Sequence, residues 1–212
     1  MVAFAALVVP MYPVSAVVSQ EVHYYALGYD DSLSNLGVKG YNTVYSPTVY
    51  QNFVVESVGS EYNANNWMEV GWVKYASGTQ IFFADVMING QYYPMDLEET
   101  TPGTHILQVR NVVEGYAPTD VWRAYIDGVL KRERTMTFSW ANVYIAQSES
   151  TYNQNTFDGH FWNLEWGGLT APPYPGGPRY FRWFPWYTTQ WHEDPPYDVI
   201  PVSDTEFYTE GP

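Results

Sequence analysis

Two dipeptides, Asn89-Gly90 and Asp127-Gly128, constrain the fold of this chain more than any other feature. Each stands between runs of aromatic and β-branched residues. Each asks for positive φ at both central positions, the geometry of a two-residue β-hairpin. Ser77-Gly78 and Pro102-Gly103 punctuate the chain in the same way. Between these turns lie strand-like runs at 22–27, 51–57, 67–75, 80–88, 105–112, 121–126 and 135–147. The last is long for one strand and would bend at a bulge. Aromatic residues make up 18% of the chain, and such side chains suit a pleated, half-buried surface better than a helix. A hydrophobic fraction of 46% is enough for a core. The reading is all-β, a two-sheet antiparallel β-sandwich.

Alternation along 67–75 puts Trp67, Glu69, Gly71 and Val73 on one face and Met68, Val70, Trp72 and Lys74 on the other. Large apolar groups on both faces predict a strand covered on both sides or lining an aromatic cleft. The sandwich domain is read as 17–169. Ahead of it, an apolar run at 1–9 and the small residues of Val14-Ser15-Ala16 read as a signal peptide, 1–16, of a secreted protein. No basic segment precedes that run, which fits a truncated start. The run is too short to cross a bilayer, so no stable membrane insertion is expected. Behind the domain, 170–212 holds Ala171-Pro-Pro-Tyr-Pro-Gly-Gly-Pro178 and a second proline pair, Pro195-Pro196. Prolines interrupt sheet ladders. This segment is therefore read as an extended strap rich in Pro and aromatic residues, with an edge strand near 180–184.

The formal net charge of −14 disfavours phosphate backbones and anionic lipid, so no nucleic-acid partner is expected. The one basic cluster, Lys131, Arg132 and Arg134, reads as the tip of the hairpin at Asp127-Gly128. Without cysteine the chain has no disulfide, thiolate metal site or cysteine nucleophile. There is no phosphate-binding loop, dinucleotide fingerprint, His-Glu-x-x-His or Gly-x-Ser-x-Gly. His23, His105, His160 and His192 have no ligand spacing, and no metal or other cofactor is expected.

That leaves the carboxylates. Glu98-Glu99 and Asp30-Asp31 read as solvated. Glu69 sits inside a strand pattern, in Trp67-Met-Glu-Val-Gly-Trp72, and Glu149 ends another, on one face with Val143, Ile145 and Gln147. An acid in an aromatic strand is costly to ionise unless paired. Two that meet share a proton, which leaves one base and one neutral acid able to activate water against an amide or glycosidic bond. The bland alternative is a strand-edge Glu whose head reaches solvent.

At these residues the sequence resembles the glutamic peptidases, both eqolisin-type and neprosin-type. Trp67-Met-Glu69-Val-Gly71-Trp72, followed by Gly78, Phe82 and Tyr93-Pro94, is similar to the segment carrying their first catalytic residue. Ala141-Asn-Val-Tyr-Ile-Ala-Gln-Ser-Glu149, followed by Phe157-Asp-Gly159-His-Phe161, is similar to the second. Trp122 to Gly128 is similar to an element of concanavalin-like sandwiches, which implies a concanavalin-like jelly roll. The resemblance covers about 51–168. It departs at Gln147-Ser148, where neprosin-type proteins carry a glycine pair, and in the absence of cysteine. It implies a secreted endopeptidase whose catalytic Glu69 and Glu149 face each other and activate water at acidic pH. Gln147 would donate to the oxyanion, or be the working partner as in eqolisin-type Glu/Gln pairs. Trp67 and Trp72 would shape the cleft around a peptide or protein substrate. Other readings of the residues remain: a non-catalytic sandwich binding polysaccharide or a surface partner through aromatics, a structural protein joined by edge strands, and a glycosidase.

Overall fold

The computed structural model describes residues 22–112, 120–170 and 179–212. The signal segment 1–16 and the Pro-rich run 171–178 lie outside the described residues. Every regular element described is a strand, and none is a helix long and apolar enough to cross a membrane. In chain order the first eight are β1 (Tyr24–Asp30), β2 (Gly37–Val44), β3 (Phe53–Asn63), β4 (Asn66–Tyr75), β5 (Gln80–Ile88), β6 (Gln91–Tyr93), β7 (Asp96–Glu99) and β8 (Gly103–Asn111). There follow β9 (Asp120–Ile126), β10 (Val129–Met136), β11 (Val143–Ser150), β12 (Phe157–Leu169), β13 (Phe181–Pro185), β14 (Gln190–Glu193), β15 (Asp198–Ser203) and β16 (Glu206–Gly211).

The hairpins close where the turn residues demand them. Asn89 and Gly90 take φ of 52° and 77°, and Asp127 and Gly128 take 52° and 76°, joining β5 to β6 and β9 to β10. The strands form two antiparallel sheets. The first runs β14-β1-β11-β3-β4-β5-β6, with β7 also on β5. The second runs β10-β9-β8-β2-β12-β16-β15, with β13 also on β12. Their facing sides enclose one core, in which Met68, Val70 and Trp72 from β4 and Tyr144 from β11 meet Leu107, Trp122, Phe161 and Phe207. Each such side chain taken from water contributes about 1.5–3 kcal/mol.

Several features differ from the sequence reading. Asp30, read as solvated, is fully buried and accepts from Ser32, Tyr144 and Thr188. The run 135–147 is not one bent strand. It is the end of β10 in the second sheet and most of β11 in the first, and the chain crosses between sheets where Ala141 bridges Asn35 and Asn142 N–H donates to Glu61. The basic cluster lies within β10, not at a tip. There Arg132 is 4% exposed and donates to the carbonyls of Ala84 and Tyr93 in the opposite sheet. The tail beyond residue 179 has the expected edge strand, β13, and three further strands that extend both sheets. Proline is tolerated because of where it falls: Pro185 ends β13, Pro201 lies in β15 at the sheet edge, and Pro195-Pro196 lies between β14 and β15.

Candidate active site

β3 is central to the first sheet, with β11 on one side and β4 on the other. Its register sets three cross-strand rows on the face away from the core. Gln147, Ser57 and Gly71 form one row; Ile145, Gly59, Glu69 and Asp85 form the next; Glu149, Val55 and Val73 form the third. Alternation delivers Trp67 and Glu69 to this face. The same alternation sends Trp72 the other way. It is fully buried between the sheets, its indole N–H donating to Asn42 at 2.7 Å, so it does not line the cleft with Glu69. Trp67 does border it, 6.0 Å from the ring of Tyr92.

Glu69 is 8% exposed and receives two bonds on Oε2, from Ser57 Oγ at 3.0 Å and from Gln147 Nε2 at 3.5 Å. Glu149 is 2% exposed and lies 2.5 Å, through Oε1, from Nδ1 of His23. His23 in turn packs on Tyr25 and Phe53. Asp85, beside Glu69 on β5, accepts from Met95 N–H at 2.8 Å and from the Tyr92 hydroxyl. The structure thus brings together Glu69 and Gln147 in contact, with Glu149 close enough for its charge to act on Glu69.

The environments of these acids differ. Burial pushes the Glu69 carboxyl well above the carboxylate range, the charges of Asp85 and Glu149 push it further, and the Ser57 bond opposes them. Burial also raises Glu149, but the bond to His23 and the imidazole charge pull it back. Asp85 is raised by burial against the bonds from Tyr92 and Met95. At Glu69 the face opens into a recess of about 30 Å³, lined among others by Gly59, Trp67, Ile145 and Gln147. That is room for a water molecule with polar partners on its wall. Past Asp85 a hollow of about 460 Å³ continues over Val55, Val73 and Phe83.

Ser57, His23, Asp85 and Tyr92 were not singled out in the sequence. Asp85 carried the same signal as Glu69, an acid inside a strong strand run, and its register beside Glu69 is visible only once β4 and β5 are paired. Ser57 and His23 carried none.

The sequence matches no protein-family profile and no curated protein. The structure does have relatives. Two crystal structures of Scytalido-glutamic peptidase, one with a peptide-based transition state analog and one with a transition state analog inhibitor, align with a TM-score of 0.56 at 9% identity. They cover 89% of this chain and 98% of theirs. SCP-B, a member of the Eqolisin family of peptidases in complex with the tripeptide Ala-Ile-His, aligns with a TM-score of 0.50 at 10% identity, covering 91% and 99%. The chain has the fold of the glutamic peptidases, a likeness carried by its backbone and not by its overall sequence.

Proposed function

We propose that the chain is a peptidase that hydrolyses peptide bonds with water held between Glu69 and Gln147. The observation that carries this is their contact at the wall of a water-sized recess, on the face of a fold shared with glutamic peptidases. Ionised Glu69 takes a proton from the water as its oxygen adds to the scissile carbonyl carbon. The Gln147 amide N–H groups bond the oxygen that becomes negative. The proton on Glu69 then passes to the departing amine as the C–N bond breaks. Glu149 acts through charge. Beside Glu69 it favours the protonated carboxyl and so makes the ionised one a stronger base. The dyad read from the sequence thus divides into a base and a tuning carboxylate. On this assignment activity rises with pH above the ordinary carboxylate range, because Glu69 must lose its proton, and an acidic optimum does not follow from it.

The test is cleavage of an unfolded protein from pH 3 to 8. Glu69→Gln should lower the rate about 100- to 10,000-fold, the worth of a general base. Glu149→Gln should keep activity and move the acidic limb to lower pH, because the charge that raises Glu69 is gone. Glu98→Gln, at an exposed position, should leave the profile unchanged. Wild-type activity retained by Glu69→Gln would refute the assignment. Secretion is part of the same proposal and rests on Val14-Ser15-Ala16. Mass spectrometry of exported protein should then find it beginning at Val17.

A further inference from the structure

The hollow beside the recess has a composition of its own. Its floor is Phe53, Val55, Val73 and Phe83, all 9% exposed or less, which with Ile81 form an apolar cluster separate from the core between the sheets. Tyr75 and Tyr92 stand at its sides. Its charged lining residues are both acids, Asp85 and Asp96. Asp85 is engaged by Tyr92 and Met95, whereas Asp96 is exposed at the start of β7. A volume of about 460 Å³ is in the range of pockets that enclose small ligands.

Its position relates it to the reacting bond. Along β4 the same face carries Glu69, bare Gly71 and then Val73, so the floor begins next to Glu69 with no side chain between. Four residues of strand rise about 13 Å, so an extended substrate cut at Glu69 lays side chains from within about four residues of the cut into the hollow. Apolar burial there favours a large side chain. The acidic rim on a chain of net charge −14 favours a cation beside it and repels an acid.

We infer that this hollow is a specificity site for a peptide segment carrying a large apolar side chain next to a lysine or arginine. The inference rests on the peptidase reading of the neighbouring recess, and binding separates the two. Isothermal titration calorimetry on the Glu69→Gln protein would use acetylated, amidated alanine heptapeptides containing Phe-Lys, Leu-Lys, Ala-Lys or Phe-Glu at the centre. Phe-Lys and Leu-Lys should bind at least tenfold more tightly than Ala-Lys, and Phe-Lys more tightly than Phe-Glu. Adding Val73→Trp should fill the floor and abolish the preference for Phe over Ala. Adding Asp96→Asn, an exposed change that leaves the fold intact, should abolish the preference for Lys over Glu and keep that for Phe. Equal affinity for Phe-Lys and Ala-Lys, or no binding by any peptide, overturns the inference even if wild type cleaves protein. Discrimination by Glu69→Gln without cleavage by wild type removes the chemistry and leaves the hollow as a peptide-binding site.

Discussion

A carboxylate removed from water must be matched or neutralised, and the cleft shows both outcomes within a few residues. Glu149 is matched by His23 at 2.5 Å, with the two side chains 2% and 10% exposed. Breaking such a pair from one side leaves a buried charge and typically costs about 3–5 kcal/mol. His23→Phe keeps the ring that packs on Tyr25 and removes the partner. It should destabilise the protein by that order at pH 7. The loss should shrink as pH falls and Glu149 takes up a proton. His23→Phe with Glu149→Gln should recover most of it, since the charge that needed a partner has gone. Urea melts of wild type and the two variants at pH 4 and 7 measure this, and a pH-independent loss would mean that His23 contributes packing alone.

At the scale of strands, the site depends on how closely β3 and β4 approach. Gly71 faces Ser57 in the register, and a β-carbon built there would lie 2.0 Å from the carbonyl oxygen of Glu56 and 2.8 Å from the Ser57 α-carbon. Gly71→Ala would therefore push apart the two strands that carry Glu69 and the serine bonded to it. Overpacking of this kind costs roughly 1–3 kcal/mol, a fall in Tm of several degrees for a chain of this size. Activity should fall in the same variant, read at a temperature where circular dichroism shows it folded. Much at this scale was legible in the sequence. The Asn-Gly and Asp-Gly turns, β5 at 80–88 and the opposite faces of Glu69 and Trp72 follow from local rules. What local rules do not reach is pairing. β2 is broken by Gly40 and Asn42 and has no strong strand pattern, yet it is central to the second sheet between β8 and β12. Trp72 lies on the face that alternation gave it, but which face was core depended on a second sheet that only the topology supplies. Gln147 and Glu69 meet through β3, and nothing in either strand encodes that.

At the scale of the whole molecule another buried acid matters, and it lies between the sheets. Glu56 is fully buried, accepts from Asn42 of β2 at 2.5 Å and from Ser148 of β11 at 3.2 Å, and adjoins the Tyr45 hydroxyl. From β12 only glycine fits against it, since a β-carbon at Gly159 would lie 2.2 Å from its Oε1, and the neighbouring Asp158 adds like charge. Burial pushes its carboxyl from 4.5 up to about 8, against the bonds from Asn42, Tyr45 and Ser148. Between those values the folded chain holds a proton that the unfolded chain has released. Raising the pH through this window therefore removes stability, at most about 1.4 kcal/mol per unit from this group. Glu69, Asp85 and Glu149 are shifted the same way and add to the slope. Glu56→Gln keeps the shape beside Gly159 and has no proton to lose. Its unfolding free energy in urea should lie near that of wild type at pH 5 and exceed it by a few kcal/mol at pH 8. Parallel curves from pH 5 to 8 would show that Glu56 does not set the alkaline limit of the sandwich.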